Sequence, residues 1–306
     1  MLDALALLTI EIGIDPEIGE FGGLLLTWHG VFTALGIAGG VLLGVFIGRR
    51  LGFTEDDVYS IALVSIPCGI IGARALFVIE RWGDIVDDPV DIFRINEGGI
   101  AVYGAIIGGV IGGVIYCWIR KLPVRRAIDG AACGLLLGLA IGRIGDLING
   151  EHFAELSGLP WAVRYTNLNS PSVLSHPIPS CSPASSAPEA LHNLCTQHPA
   201  VAYDMLGSLV ILGVVLLVLR YARREGVAFF TFLLLYSLLR LGESELRLDS
   251  REIVWGLTTP QVTALCLIPV AILGIVVCWR IGSPEREAPV SPARPVPAPA
   301  GGGPAG

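Results

Sequence analysis

The sequence predicts an all-α integral membrane protein with about seven transmembrane helices, its amino terminus outside the cell and its carboxyl terminus in the cytoplasm. Three observations carry that prediction. Of 306 residues, 53% are apolar and only 15% charged, whereas a soluble domain carries roughly 25% charged residues. The deficit is concentrated in uncharged runs long enough to cross a bilayer, which takes about 20 helical residues. The basic residues, finally, are distributed unevenly between the intervening loops. Other classes drop out on the same figures: a net charge of −7 leaves no basic surplus for a nucleic acid, and the aliphatic content is too high for a disordered chain.

The candidate spans fall near residues 22–48, 58–80, 100–119, 127–148, 203–220, 227–241 and 261–281. Residues 1–21 are apolar in part but hold Asp3, Glu11 and Asp15, and they lack the basic start and small-residue cleavage site of a signal peptide. They are expected to lie at the membrane interface. Residues 22–283 form the membrane domain. Residues 284–306 hold seven of the 20 prolines and a glycine run, and read as a disordered cytoplasmic tail.

Sidedness follows from lysine and arginine, which are retained in the cytoplasm near span ends. Arg49, Arg50, Arg120, Lys121, Arg125, Arg126, Arg220, Arg223, Arg224, Arg280, Arg286 and Arg294 fall on one side, 12 of the 20 basic residues. That side is assigned to the cytoplasm. The opposite loops are longer and more acidic, with Asp84, Asp87, Asp88, Asp91 and Glu97 in one and a polar stretch over 149–202 in another. Cys181 and Cys195 lie in the latter and could pair in an oxidising compartment. Cys68, Cys117, Cys133, Cys266 and Cys278 sit in spans without CxxC spacing, and are expected to be small core residues.

Glycines recur every fourth residue: Gly36, Gly40, Gly44 and Gly48 in the first span, Gly104, Gly108 and Gly112 in the third, Gly130, Gly134, Gly138 and Gly142 in the fourth. A period of four places each row on one helix face, where backbones can approach closely. Polar groups are sparser and more telling. An ionisable side chain at mid-bilayer costs about 2.5–3.5 kcal/mol, so each needs a partner or a purpose. With spans alternating in direction, His29, Arg74, Tyr103, Arg143, Asp146, Tyr203, Asp204 and Arg240 all fall in the outer half of the membrane. Arg143, Asp146 and Gly150 share one helix face, flanked by Asn149 and Glu151. The Arg143–Asp146 spacing reads equally as a structural ion pair or as part of a site. Arg74 and Arg240 add cation beyond what the nearby acids neutralise, which suggests an anionic ligand, and a guanidinium suits a phosphate. His29 reads either as a hydrogen-bonded structural residue or as a general base. No metal-ligand spacing is visible among His29, His152, His176, His192 and His198, and no metal or other cofactor is expected.

The segment Gly142-Arg143-Ile144-Gly145-Asp146-Leu147-Ile148-Asn149-Gly150-Glu151 resembles the signature of the bacterial prolipoprotein diacylglyceryl transferase family, G-R-x-G-N-F-x-N-G-E. Collinear, weaker matches are Trp28-His29-Gly30, Gly72-Ala73-Arg74, Gly98-Gly99 with Tyr103-Gly104, Asp129, His198-Pro199 with Tyr203, Arg240 with Arg247, and Gly256-Leu257-Thr258 with Gln261. The resemblance covers about residues 20–280. It implies a plasma-membrane (inner-membrane) enzyme whose active site faces the extracytoplasmic side. Such an enzyme moves the diacylglyceryl group of phosphatidylglycerol onto the lipobox cysteine thiol of preprolipoproteins. The partners would be that lipid, the lipobox peptide and the surrounding membrane lipids, with no nucleic acid. By motif position, Arg143 would hold the head group or its leaving phosphate and Arg240 would be a second clamp. Asp146, Asn149, Gly150 and Glu151 would shape the pocket, and Arg74, Tyr203 and Arg247 would line it.

The sequence departs from that pattern at three places. Family members usually carry Tyr at the position of His29 and His at that of Tyr103, so these residue types are exchanged; His29 is then expected to be the thiol base and Tyr103 its hydrogen-bonding partner. The signature Asn is Asp146, whose charge beside Arg143 would weaken phosphate binding unless neutralised. Four residues after Arg240, where Glu is usual, stands Ser244, between Glu243 and Glu245. The competing readings are a diverged, non-catalytic lipid- or precursor-binding member and a small lipid or solute transporter. The latter would favour two similar halves, and no internal repeat is evident.

Overall fold

The computed structural model describes residues 9–22, 24–85, 90, 92, 101–174, 196–222, 224–250 and 252–281. Cys181, Cys195, Gly98, Gly99 and the 284–306 tail lie outside these. Among the described residues, seven helices are long and apolar enough to cross a membrane: α1 Trp28–Arg50, α2 Glu55–Glu80, α3 Val102–Ile119, α4 Val124–Asn149, α5 Ala200–Tyr221, α6 Val227–Ser244 and α7 Thr259–Ile281. The predicted all-α, seven-helix membrane class is therefore correct, with six short strands added at one end.

The first span begins later than expected. β2 Glu17–Phe21 pairs antiparallel with β3 Leu24–Thr27, and α1 starts where the Thr27 hydroxyl accepts the Gly30 amide at 3.2 Å. The apolar run Leu24-Leu25-Leu26 is thus spent on a strand, because a threonine cap fixes the helix start. α2 begins with a capping box, Thr54 and Asp57 each accepting the other's backbone amide at 3.1 Å. It carries Pro67 within it, as α7 carries Pro269.

Glycine seams fix the helix pairs. A Cβ on Gly36 or Gly40 would lie 2.6 Å from the carbonyl oxygen of Gly138 or Gly134, so α1 and α4 touch backbone to backbone. On α2 and α3, a Cβ on Gly72 would lie 2.4 Å from Gly104 O, and one on Gly108 2.4 Å from Cys68 O. The expected packing rows are thereby seen, except that Gly44 and Gly130 make ordinary contacts and Gly142 faces open space. α5, α6 and α7 complete the bundle around a core of Leu136, Val215, Phe232 and Tyr236. The cysteines divide: Cys117, Cys133 and Cys278 are buried, Cys68 is half-buried and Cys266 is exposed on α7. The last departs from the core expectation because it lies on an exposed stretch of an apolar helix, which suits lipid.

One end of the bundle is capped. β1 Ile10–Ile12 pairs in parallel with β4 Val163–Tyr165, and Arg164 pairs with Glu11. A second two-stranded piece, β5 Glu252–Val254 with β6 Leu257–Thr258, leads into α7. The described part of the 149–202 segment is ordered by isolated bridges, Ala154 to Arg247 and Val163 to Gln197. This end gathers the starts of α1, α3, α5 and α7 and the ends of α2, α4 and α6, and so all the polar residues that the sequence placed in one half of the membrane.

Candidate active site

The signature segment is shaped by how α4 ends. Gly150 adopts φ +71°, and a Cβ there would meet Ser170 Oγ at 2.4 Å and the Tyr165 ring at 2.8 Å. Only glycine fits this left-handed stop. The last carbonyls of the helix, which have no helical partner, are met from the cap: Tyr165 Oη donates to Leu147 O at 2.9 Å, Ser170 Oγ to Asn149 O at 3.0 Å and Ser172 Oγ to Gly150 O at 2.6 Å. Burial pushes the Tyr165 phenol well above its ordinary range and the Asp146 charge adds to the effect. Tyr165 stays a donor at neutral pH.

Asp146 is the hub. Its Oδ1 lies 2.5 Å from His29 Nδ1 at the start of α1, and its Oδ2 accepts from Arg143 Nη1 at 2.6 Å. A Cβ on the adjacent Gly145 would sit 2.8 Å from His29 Cα, so this glycine is what lets the two helices bring His29 and Asp146 together. Glu151 Oε2 lies 3.5 Å from the same His29 nitrogen, and Glu151 Oε1 accepts from Asn149 Nδ2 at 2.7 Å. With Nδ1 occupied, His29 Nε2 has no partner among the described residues. The imidazole is about one-third exposed, while the Asp146 carboxylate is buried. A carboxylate holding one imidazole nitrogen so that the other stands free is the arrangement of a general base.

Behind this pair runs a line of buried charges. Arg143 Nη2 is 2.6 Å from Asp204 Oδ2 on α5, and the same oxygen is 3.7 Å from Arg240 Nη1 on α6. Arg143 and Arg240 therefore share one carboxylate. Neither Asp204 oxygen receives a well-directed hydrogen bond, so the association rests on charge. Arg240 Nη1 also donates to Glu243 Oε2 at 2.5 Å, and Arg247 Nη1 reaches Glu243 Oε1 at 3.4 Å. Arg247 grips Asp249 in a fork, with Nε to Oδ1 at 2.9 Å and Nη2 to Oδ2 at 2.6 Å. Burial would push the Asp249 carboxyl up, but hydrogen bonds from His152 and Arg247 and the charge of Arg247 outweigh it and hold it well below the usual carboxylate range.

Several sequence expectations need correcting here. There is no surplus of cation: Asp146, Asp204, Glu243 and Asp249 oppose Arg143, Arg240 and Arg247, because loops and helix pairing bring in acids distant in sequence. An anionic ligand must therefore displace a carboxylate. Tyr103 does not pair with His29; Asp146 does. The Tyr103 ring stands edge-on to Tyr236 with centroids 6.4 Å apart, and neither hydroxyl has a well-directed hydrogen bond among the described residues. Arg74 donates Nε to Ile92 O at 2.9 Å and stacks over Phe77, contacts that do not join it to the cluster. Tyr203 Oη accepts from Trp161 Nε1 at 2.8 Å in the cap. Ser244 donates to Arg240 O at 2.7 Å, while Glu243, one residue earlier, takes the acidic partner's place. Asp146 is neutralised by Arg143. The sequence spacing shows no metal set, yet the fold brings ligand atoms of His29, Asp146 and Glu151 within 4.8 Å of one another. They could take a cation only by giving up the His29 and Arg143 contacts of Asp146. His152, passed over in the sequence, enters between two ion pairs: Nε2 lies 3.2 Å from Arg143 Nη1, and Nδ1 2.8 Å from Asp249 Oδ2. Its position directly after the Asn149-Gly150-Glu151 motif was the available signal.

The fold and site define a seven-helix membrane protein with imidazole, carboxylate and guanidinium groups gathered at one end. Comparison with known proteins gives the particular class. Residues 16–279 match the family model described as prolipoprotein diacylglyceryl transferase. A phosphatidylglycerol--prolipoprotein diacylglyceryl transferase of Dehalococcoides mccartyi is 32% identical over 264 residues, covering 86% of this chain and 93% of the relative. Those of Bacillus cytotoxicus (30% identical, covering 90% and 96%) and Clostridioides difficile (30%, covering 74% and 81%) bear the same name. The chain belongs to the prolipoprotein diacylglyceryl transferase family.

Proposed function

We propose that this chain transfers the diacylglyceryl group of phosphatidylglycerol to the lipobox cysteine thiol of preprolipoproteins, with its site on the extracytoplasmic face of the bacterial inner membrane. The observation that carries this reading is the His29–Asp146–Arg143 constellation, which puts a base and a phosphate-binding group on one carboxylate. A thiol of ordinary pKa, about 8.5, needs a base to supply thiolate. His29 Nε2 takes that proton, held in orientation by Asp146. Arg143, with Arg240 behind it, receives the phosphate as Asp204 yields, and stabilises the charge left on the departing glycerol phosphate. Asn149, Gly150 and Glu151 form the wall around the head group, and Arg247 secures it through Glu243. Tyr103 lies deeper, near Arg240 and Asp204, where it lines the head-group side. The 12 basic residues of the uncapped side and of the tail support a cytoplasmic placement of that side, with residues 1–21 at the outer interface.

Purified protein in phosphatidylglycerol vesicles should attach a diacylglyceryl group by thioether linkage to a synthetic lipobox peptide, detected by mass spectrometry. Complementation of a strain lacking the transferase is the companion test. Binding of peptide and lipid without thioether would favour the non-catalytic reading.

A further inference from the structure

The reaction proposed above also leaves charge on a departing phosphate, and the structure contains a second histidine placed to meet it. We infer that His152 is a catalytic acid of this site, linked through Asp146 to His29, that hands a proton to the departing phosphate. This inference rests on the transfer reaction just described.

Three observations converge. Asp146 stands between two imidazoles: Oδ1 is 2.5 Å from His29 Nδ1 and Oδ2 is 3.5 Å from His152 Nε2. His152 Nε2 is also 3.2 Å from Arg143 Nη1, which puts this nitrogen against the guanidinium that receives the phosphate. Finally, each ring nitrogen of His152 has one acceptor and one donor beside it. Nε2 has Asp146 and Arg143; Nδ1 has Asp249 Oδ2 and Arg247 Nη2, both at 2.8 Å. Either neutral tautomer and the imidazolium are all satisfied by these four partners, which come from α4 and from the segment after α6. A histidine with only a structural role needs one such arrangement. A histidine that gives and regains a proton needs them all.

The bookkeeping closes. The S–H bond breaks as the thiol proton passes to His29 Nε2. The sulfur forms a C–S bond to the glyceryl carbon as the C–O bond to phosphate breaks, and that electron pair leaves on the phosphate oxygen. His152 Nε2 donates its proton there, to a phosphomonoester oxygen whose second pKa is about 6. Asp146 stays ionised and holds both rings, and His152 regains its proton from water once the products leave. His29 then gives the thiol proton to water.

The test is steady-state kinetics in phosphatidylglycerol vesicles with a lipobox peptide. His152→Gln keeps a donor and an acceptor but cannot carry the proton. It should lower kcat about a hundredfold with KM for the lipid within about threefold, and it should abolish the alkaline limb of the pH profile while the acid limb set by His29 remains. In His152→Ala, added imidazole should restore at least part of the lost rate. Wild-type kcat in His152→Gln, or a loss with the alkaline limb intact and no imidazole rescue, would overturn the inference. If the wild-type protein itself makes no thioether, it is the underlying reaction that fails.

Discussion

Replacing Asp146 by Asn is the most informative single change. The substitution preserves shape, but its single carbonyl oxygen can accept from only one of the two neighbours, and it removes the charge that meets His29 Nδ1 at 2.5 Å and Arg143 Nη1 at 2.6 Å. Two unit charges about 4 Å apart at an effective dielectric of about 20 interact by about 4 kcal/mol. His29 is 35% exposed, so solvent screening reduces the share felt by its imidazolium to about 2–3 kcal/mol. That stabilisation is present when His29 holds the thiol proton and absent when it is neutral, so it appears in the barrier. At 1.36 kcal/mol per decade, kcat should fall about 30- to 150-fold. KM for phosphatidylglycerol should not rise, because Arg143 loses a competitor for the phosphate. Initial rates of thioether formation across a lipid titration measure both. A kcat within threefold of wild type, or an unchanged kcat with a tenfold rise in KM, would refute the role assigned to Asp146.

Other expectations follow from the same geometry. Arg143→Ala strands Asp146 and Asp204 in a buried setting, which costs about 3–5 kcal/mol, and both lipid binding and turnover should be lost; normal turnover would remove Arg143 from the site. Gly150→Ala forces a side chain into the left-handed region and onto Ser170 and Tyr165, so the thermal midpoint should drop by the equivalent of about 1–3 kcal/mol, with activity falling alongside. For Asp249, the folded carboxyl is held below its unfolded value, so its contribution is fully present above the unfolded pKa of about 3.9 and fades as pH falls towards the folded one. Thermal melts of Asp249→Asn should thus lie below wild type by a constant interval from pH 8 to about 5, and the two should converge below about pH 4. The triple change His29→Tyr, Tyr103→His and Asp146→Asn installs the residues usual in the family; it should recover at least tenfold of the rate lost in His29→Tyr alone, as measured by the peptide assay.

The seven spans were legible because lipid demands long apolar helices and little else resembles them. The α4 motif was legible through its spacing, since Arg143, Asp146 and Gly150 share a face whatever surrounds them. The missing information was of two kinds. One is capping: Leu24-Leu25-Leu26 continues the apolar run of α1, and only the Thr27 cap and the pairing with Glu17–Phe21 divert it into a strand. The other is distance along the chain. Asp204 lies 61 positions from Arg143 and Asp249 lies 97 from His152, so no periodicity announces that these acids meet those cations. The sequence pairs Tyr103 with His29 only through the exchange of these two residue types against the family pattern. In three dimensions α1 packs on α4 and α3 on α2, so the His29 partner comes from α4.

The contact between α1 and α4 carries a further implication. With Gly36 and Gly40 resting on the main chain of Gly138 and Gly134, and Gly145 under His29, backbone meets backbone at these points and leaves little room to absorb a shift. The two rods behave as a single girder, and the imidazole and its carboxylate are mounted at one end of it. Enlarging a glycine some 15 Å away along the seam should therefore pry the reactive pair apart as surely as a change at the pair itself.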